Sequence, residues 1–532
     1  SSLLPHRMAI SRPMNASLGL DFGTLSVRAL VVGLDGRELG SASCDYARGV
    51  ITGQLPTGGD PLPPESAFQH PDDWLESAAT AIQDAVRMAE QHKLLGIGVA
   101  FTSCTMLPLL KDGRPLCLAA GFEREPQAWP KLWKHHGAIP QAVRMTTVAQ
   151  ERGESFLARY GGVIGEEWLY PKILEAVETA PHVAHAAAWW MEAGDWVVWQ
   201  MAGGEPARST CQAGYKGLWN AEEGDVSAGY LAAVHPGLPT EATKLPRRML
   251  VPGEAAGLLS PALAERFGIP AGIPVGAAVI DAHAGVPGAG ASEPDTLVMV
   301  LGTSSCHMLN STVEATIPGV AGVVSDGILP GFHGYETGQA AVGDAFDWLR
   351  RLAGETDFSR LSREAAALPP GACGVRCLDW LNGCRTPWMD GTPRGAFIGL
   401  SLQHGPAHFH RALIEATACG LRWIISLLRE GGVPVTRFIA TGGLPHHDPL
   451  LMQIYADVIG EEIAIPPARQ GPALGAAIFG ALAGGAFPDA ASAIRAMTSS
   501  ADARKVVPGP DSAIYGPIYD EYRSLAEAIR SR

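Results

Sequence analysis

Two copies of one short pattern constrain the fold of this chain more than any other feature. FGTLS at 22–26 and LGTSS at 301–305 each interrupt an apolar strand with Gly-Thr-x-Ser, and a second strand follows at once. A unit repeated about half a chain apart indicates a duplicated domain. The length of 532 residues leaves room for two or more domains, since one domain has about 150 residues.

The first copy opens an antiparallel meander. Asp35-Gly36 between two apolar runs is a strong hairpin signal. Asp72 and Asp73 suit the first turn of a helix, where free amides favour negative charge. The pattern predicts an α/β fold with a mixed sheet, in which strands at 18–22, 27–34 and 37–45 precede a helix from about residue 72 and a strand at 96–101.

The second copy begins a similar series. Asp448-Pro449 is typical of a helix start, with an N-cap followed by proline. The Ala- and Gly-rich run 472–487 is short for a membrane span and favours a buried helix. The expected elements are strands at 296–301, 306–310 and 438–441 and a long helix over 409–429.

Charge and cysteine content exclude several classes of protein. The net charge of −14 argues against nucleic-acid and anionic-membrane partners, which require a basic face. Nine scattered cysteines indicate free thiols in the cytoplasm, because a disulfide scaffold is shorter and denser in cysteine. Residues 1–14 lack a sustained apolar core, so we expect a disordered tail and no signal peptide.

The Gly-Thr turns are candidate phosphate-binding loops. No P-loop motif and no dinucleotide fingerprint occurs in the chain. Turn amides and a threonine hydroxyl can donate to phosphate oxygens, although each turn alone could be an ordinary hairpin. Asp21 lies inside the apolar strand before the first turn, where a carboxylate is costly unless a partner such as hydrated Mg²⁺ is present.

Asp281 is a candidate general base. It follows the apolar run 273–280 and precedes a stretch of small residues typical of a closely packed helix. A plain helix cap is the alternative, and His283 is expected to be a packed or capping residue. Gly442-Gly443 after a strand would let a nucleotide lie along the backbone, or would form a tight turn without a ligand.

A longer pattern resembles a known family. GAFIGL at 395–400, seven further residues and HFHRALIE at 408–415 are similar to the second signature of the FGGY carbohydrate kinases. The segments at 20–32, 70–77, 102–109, 213–219 and 378–387 resemble the ribulokinases of that family. The resemblance covers about residues 18–488.

The resemblance implies two ribonuclease-H-like lobes of the actin/hexokinase/Hsp70 type, which close over ATP, Mg²⁺ and a sugar in the cleft between them. The expected N-terminal lobe, residues 15–271, would bind the sugar, and the C-terminal lobe, 272–532, would bind ATP. The implied roles are Asp281 as the base, Asp21 as a Mg²⁺ ligand, Ser103, Lys216, Asp281 and Glu336 at the sugar, and Thr24, Gly302, Thr303, Gly442 and Gly443 at ATP.

The implied reaction is transfer of the γ-phosphoryl group of ATP to the 5-hydroxyl of ribulose, in the L form. Xylulose, D-ribulose or ribitol are alternative substrates, because a few hydrogen bonds decide the stereochemistry. A nucleotide-binding regulator without sugar chemistry is the alternative from another class, because this fold has several functions. The resemblance also implies a homodimer.

Overall fold

The computed structural model describes residues 14–89, 92–320, 322–467, 470–498 and 502–530. The disordered tail was predicted for residues 1–14, but Met14 already begins the first strand, and residues 1–13 lie outside the described residues. The elements of the first half are β1 (Met14–Phe22), β2 (Ser26–Gly33), β3 (Glu38–Asp45), α1 (Pro71–Met88), β4 (His92–Phe101), β5 (Met106–Leu109), α2 (Ile139–Arg152), α3 (Leu169–Thr179), α4 (Pro181–Ala186), β6 (Trp189–Glu192), α5 (Ala193–Ala202), β7 (Ala207–Ser209), α6 (Thr210–Lys216), α7 (Ala228–Val234), α8 (Leu238–Ala242), β8 (Arg248–Leu250), β9 (Ala255–Leu258), α9 (Pro261–Phe267), β10 (Pro274–Ile280) and α10 (Asp281–Gly288).

The second half alternates strands and helices in the same way. Its elements are β11 (Thr296–Leu301), β12 (Ser305–Ser311), β13 (Gly322–Ser325), β14 (His333–Gln339), α11 (Gly343–Leu352), α12 (Phe358–Ala366), β15 (Arg376–Leu378), β16 (Ala396–Ile398), α13 (Pro406–Glu430), β17 (Arg437–Thr441), α14 (Leu444–His447), α15 (Pro449–Ile459), β18 (Ile463–Ile465), α16 (Gly471–Ala483), α17 (Ala490–Met497), β19 (Arg504–Val506) and α18 (Tyr515–Arg530).

The two large sheets have the same core arrangement. In the first, the order is β3-β2-β1-β4-β10-β9, with β1, β2 and β3 antiparallel and β1, β4 and β10 parallel. In the second, the order is β13-β14-β12-β11-β17-β18-β19, with β11, β12 and β14 antiparallel and β11, β17 and β18 parallel. Each sheet therefore begins with a hairpin around one Gly-Thr turn, and the predicted duplication and α/β fold are confirmed.

Local sequence explains where two of the predicted helices begin. His70 accepts a hydrogen bond from the Asp72 amide, and Pro71 occupies the first turn of α1, together with Asp72 and Asp73. The Asp448 carboxylate accepts from the Leu451 amide at the start of α15. Both helices thus begin with a side-chain acceptor and a proline that needs no amide partner.

Helix α16 covers one face of the first sheet. Ile97, Val99 and Phe101 of β4 face the core beneath α1, and the alternate residues Gly96 and Gly98 face α16. A Cβ atom on Gly98 would lie 1.7 Å from the carbonyl oxygen of Ala476, so the helix and strand backbones are in direct contact. The predicted buried helix is confirmed, and no helix of the described chain has the length and apolarity to span a membrane.

The chain crosses between the lobes more than once. Strand β10 pairs with β4 and therefore lies in the first sheet, although it follows the boundary expected after residue 271. Helix α16 returns from the second half to that same sheet. We propose that the first crossing falls after α10, between residues 288 and 296.

Candidate active site

Three parallel strands end side by side at one edge of the first sheet. Asp21 is the last but one residue of β1, Ser103 lies in the turn after β4, and Asp281 follows β10. Strand β4 pairs in parallel with both of the others. The carboxyl ends of parallel strands meet at one edge, so these three predicted residues lie at the same edge of the first sheet.

Asp281 combines partial burial with a position at a helix start. It is the first residue of α10, after the N-cap residue Ile280, and its Oδ1 accepts a hydrogen bond of 2.7 Å from the Ala282 amide, which is not the N-cap hydrogen bond of the alternative interpretation. Burial raises the pKa of the Asp281 carboxyl to about 7, and the Asp21 carboxylate acts in the same direction. A carboxyl with this pKa can accept and release a proton near neutral pH.

Asp21 is partly compensated by a cation. Arg28 lies opposite it on β2, with Nη1 at 3.7 Å from Oδ2. Burial raises the pKa of Asp21 to about 6, and the Arg28 charge opposes the rise. One distant guanidinium therefore does not fully stabilise the Asp21 carboxylate.

Thr24 is held in place by two side chains from the surrounding loops. Its Oγ1 accepts a hydrogen bond of 3.1 Å from the Trp133 indole, and its carbonyl accepts one of 2.8 Å from Gln69. The Gly23 amide closes the turn by donating to the Ser26 carbonyl. The predicted phosphate loop is thus an ordered turn.

A buried ion pair joins the two halves of the chain. Nζ of Lys216, at the end of α6, lies 3.2 Å from Oε1 and 3.3 Å from Oε2 of Glu336 on β14. Burial of the amine would lower the pKa of Lys216, but the Glu336 carboxylate raises it, and Lys216 in turn holds the pKa of Glu336 well below its usual range in spite of burial. Both groups are therefore charged, and both also act on Asp281.

His283 is packed, as predicted. Its ring lies 4.3 Å from the ring of Tyr215, between centroids, and is fully enclosed. Nε2 lies 3.2 Å from Oε2 of Glu336, but without hydrogen-bond alignment. Burial lowers the pKa of His283, so the ring is neutral at pH 7.

The two glycine turns of the second lobe lie next to each other. Gly302 and Thr303 connect β11 to β12, and Gly442 and Gly443 follow β17, which is parallel to β11. Gly442 has φ +96° and lies against the backbone of Leu301, where a Cβ atom would be 2.4 Å from the carbonyl oxygen. The four glycine-turn residues predicted to bind ATP in this lobe therefore lie at a single edge of the second sheet, whereas Thr24 belongs to the first.

The side chains at this edge of the first sheet suit Mg²⁺ better than a metal ion whose ligands all come from the protein. The described residues contain no cluster of three or more His, Cys, Asp or Glu side chains arranged around one ion. Asp21 and Asp281 supply two carboxylates near each other. Mg²⁺ typically binds one or two carboxylates, water and substrate phosphates, so the Asp21 carboxylate fits it.

Two family models match nearly the whole described chain. The N-terminal domain of the FGGY family of carbohydrate kinases matches residues 16–288, and the C-terminal domain of that family matches 297–484. The chain belongs to the FGGY family of carbohydrate kinases. It is therefore an ATP-dependent sugar kinase, as expected from its signature.

Similar proteins from bacteria are named ribulokinases. A ribulokinase of Geobacillus thermodenitrificans is 42% identical over 529 residues, covering 96% of this chain and 93% of its own length. A ribulokinase of Mycolicibacterium smegmatis is 40% identical over 500 residues, covering 90% and 88%. The expected resemblance to ribulokinases is confirmed.

Solved structures of sugar kinases share the fold. A xylulose kinase from Rhodospirillum rubrum superposes with a TM-score of 0.81 at 24% identity, over 97% of this chain and 99% of its own. A Plasmodium falciparum glycerol kinase with ADP gives a TM-score of 0.78 at 15% identity, over 97% and 98%. At this identity the likeness concerns the fold, and the two-lobed architecture of the FGGY kinases is confirmed.

Sequence reasoning missed several residues around this FGGY site. Lys172 is fully buried, and its Nζ donates to the carbonyls of Cys104, Lys131 and Leu132, which ties the turn carrying Ser103 to the segment before Trp133. The segment 167–172 resembles the first signature of the FGGY family only loosely, and Lys172 at its end was the available signal. Arg28 and Arg385 lie in motifs that resemble the family, but the motifs alone assign them no role.

Proposed function

We propose that this kinase transfers the γ-phosphoryl group of ATP to the 5-hydroxyl of L-ribulose. The observation that carries the reaction is the Asp281 carboxyl, with a pKa near 7, at the sheet edge that also holds Asp21 and the Thr24 turn. The choice of sugar is supported by relatives that are named ribulokinases and are about as long as this chain.

Asp281 acts as the general base in this proposal. Its carboxylate accepts the proton of the sugar's 5-hydroxyl as the O5–Pγ bond forms. The bond between Pγ and the bridging oxygen breaks, and ADP leaves with the electron pair. The proton then passes from Asp281 to solvent, which regenerates the carboxylate.

The other predicted residues bind and orient the reactants. Ser103, Lys216 and Glu336 would hold the sugar, because their hydroxyl, ammonium and carboxylate groups complement hydroxyl and carbonyl groups. Asp21 would hold Mg²⁺, and the ion, when bound, neutralises charge on the phosphate oxygens. Thr24, Gly302, Thr303, Gly442 and Gly443 would line ATP from both sheet edges.

We further propose a cytoplasmic homodimer. All nine cysteines are free thiols, which suits a reducing compartment. Light scattering on the purified chain measures its mass in solution directly.

The test is ADP release with ATP and Mg²⁺ against L-ribulose, D-ribulose, both xyluloses, ribitol and glycerol. Asp281→Asn removes the base, and Asp489→Asn is the matched control, because Asp489 caps α17 on the surface. We expect release with L-ribulose, a loss of about 10²–10⁴-fold in Asp281→Asn and wild-type turnover in the control.

Each other outcome changes a different part of the proposal. A stronger response to another sugar would overturn L-ribulose as the substrate. Full activity of Asp281→Asn would overturn the base assignment. ATP binding without turnover of any sugar in the panel would contradict the proposed reaction and favour a regulator.

A further inference from the structure

Arg385 lies on the face of the second sheet that carries Glu336. Its Nη1 is 3.6 Å from Sγ of Cys306, and a Cβ atom on Gly338 would lie 3.2 Å from the same nitrogen. Cys306 and Gly338 are cross-strand partners on β12 and β14. Side chains two positions apart on a strand share a face, so Gly338 and Glu336 face the same side.

The guanidinium occupies the interval between the two predicted substrate sites. The pair formed by Met308 and Glu336 is the next pair on this face, about 7 Å along the strands. In the other direction β12 begins at Ser305, directly after the turn that contains Gly302 and Thr303. A group above Cys306 therefore lies between the Glu336 carboxylate and the phosphate loop.

The backbone fixes this position. The Thr386 amide donates to the Gly338 carbonyl at 3.3 Å, and the Thr386 hydroxyl accepts from the Gly338 amide at 3.4 Å. The Arg385 carbonyl accepts from the Met389 amide at 2.7 Å. The loop after β15 is thus hydrogen-bonded to β14 at Gly338, and Arg385 lies next to this residue.

The charge of Arg385 is not neutralised by an ion pair. Across the described chain no carboxylate oxygen lies within 4.0 Å of its guanidinium, although Glu336 and Glu167 attract it from farther away. Glu336 is already in contact with Lys216 and His283. A half-buried guanidinium without a paired anion is costly, and it suits an anion that arrives with the substrate.

We propose that Arg385 is a further catalytic residue, which contacts the γ-phosphoryl group of ATP and stabilises its charge during transfer to the sugar. This rests on the proposed function for the identity of the acceptor. Guanidinium groups bind phosphate oxygens in bidentate fashion and remain charged throughout the accessible pH range. Fixed cations at a transferring phosphoryl group lower the barrier because no reorganisation is needed.

Steady-state kinetics of Arg385→Gln and Arg385→Lys test the catalytic role. Arg394→Gln is the matched control, since Arg394 is exposed in the same loop and bonds only to carbonyls of residues 391–393. In Arg385→Gln we expect kcat to fall about 10²–10³-fold and the sugar KM to stay within about threefold. Arg385→Lys should be intermediate, and added guanidinium should partly restore Arg385→Ala. A fall in kcat under threefold, or a rise in sugar KM alone, would overturn the proposal.

Nucleotide binding tests the contact without any sugar. Isothermal titration compares ADP with adenylyl imidodiphosphate, both with Mg²⁺, on the wild type and on Arg385→Gln. We expect the triphosphate analogue to bind about tenfold more weakly to the variant and ADP to bind equally well. Equal changes for both nucleotides would overturn the contact, and this result is independent of which sugar the wild type accepts.

Discussion

At the scale of single residues, Asp281 links burial to the pH dependence of the reaction. Its pKa is raised to about 7 by burial and by the Asp21 carboxylate. The base is the deprotonated form, so activity must increase as pH rises through the pKa. An unperturbed aspartate, with a pKa of about 3.9, would leave activity constant over the same range.

We therefore expect kcat/KM for the sugar to rise through an apparent pKa near 7, because this parameter reports groups of the free enzyme. Initial rates between pH 5.5 and pH 9 measure the profile. Replacing Arg28 by Gln removes the cation next to Asp21, which should raise the pKa of Asp21 further. A profile independent of pH from 6 to 8 would contradict the assignment of Asp281 as the base.

At the scale of elements, the contact between α16 and β4 depends on the absence of side chains. Gly98→Ala places a methyl group 1.7 Å from the Ala476 carbonyl oxygen, so the helix or the strand must move. Overpacking of this kind costs about 1–3 kcal/mol. We expect a lower free energy of unfolding in urea for Gly98→Ala and lower activity, because β4 leads to Ser103.

Gly516→Ala is the control for that substitution. Gly516 lies in α18, and a Cβ atom there would meet no heavy atom within 4 Å. Alanine favours helix over glycine by up to about 1 kcal/mol, so this variant should be unchanged or more stable. Equal stability of Gly98→Ala and the wild type would show that the helix adjusts freely.

Local sequence patterns predicted the strands and hairpins better than the pairing of strands that are distant in the chain. The hairpins around Gly23-Thr24 and Gly302-Thr303 were predictable because Gly-Thr interrupts apolar strands at short range. The pairing of β10 with β4 was not, because strand pairing across the chain leaves no local periodicity. The same limit applies to Lys172, whose carbonyl partners come from two distant segments.

The site was predicted in part for the same reason. Asp21, Asp281 and the Gly-Thr turns follow apolar runs, which mark strand ends where ligands collect. Lys216, Glu336 and Ser103 came from family resemblance, and the ion pair between the first two could not be read from spacing. Arg385 required the structure, because only its contacts with Cys306 and Gly338 put it on the face of the second sheet that carries Glu336.

At the scale of the whole molecule, the pair formed by Lys216 and Glu336 couples the two lobes. Lys216→Met leaves the buried Glu336 carboxylate without its main partner, and breaking such a pair costs about 3–5 kcal/mol. Replacing both residues, Lys216→Met with Glu336→Gln, should cost less than the sum of the two single changes. Urea unfolding of the four proteins in this cycle measures the coupling.

The exposed pair of Arg495 and Glu293 is the reference for this cycle. Its side chains are 55% and 49% exposed, and exposed ion pairs contribute about 0–1 kcal/mol. We expect near-additive changes there and strong coupling at Lys216. Additive changes in both cycles would show that the buried pair does not hold the lobes together.

The return of α16 to the first sheet also governs how the chain can be made. Residues 14–280 contain all six strands of that sheet, but the helix that covers one of its faces comes only at 471–483. During synthesis the six strands of the first sheet therefore leave the ribosome with one face uncovered. Nearly two hundred further residues must follow before α16 emerges. We therefore expect the N-terminal half not to fold stably alone and the two lobes, although duplicated in architecture, to complete their folding together.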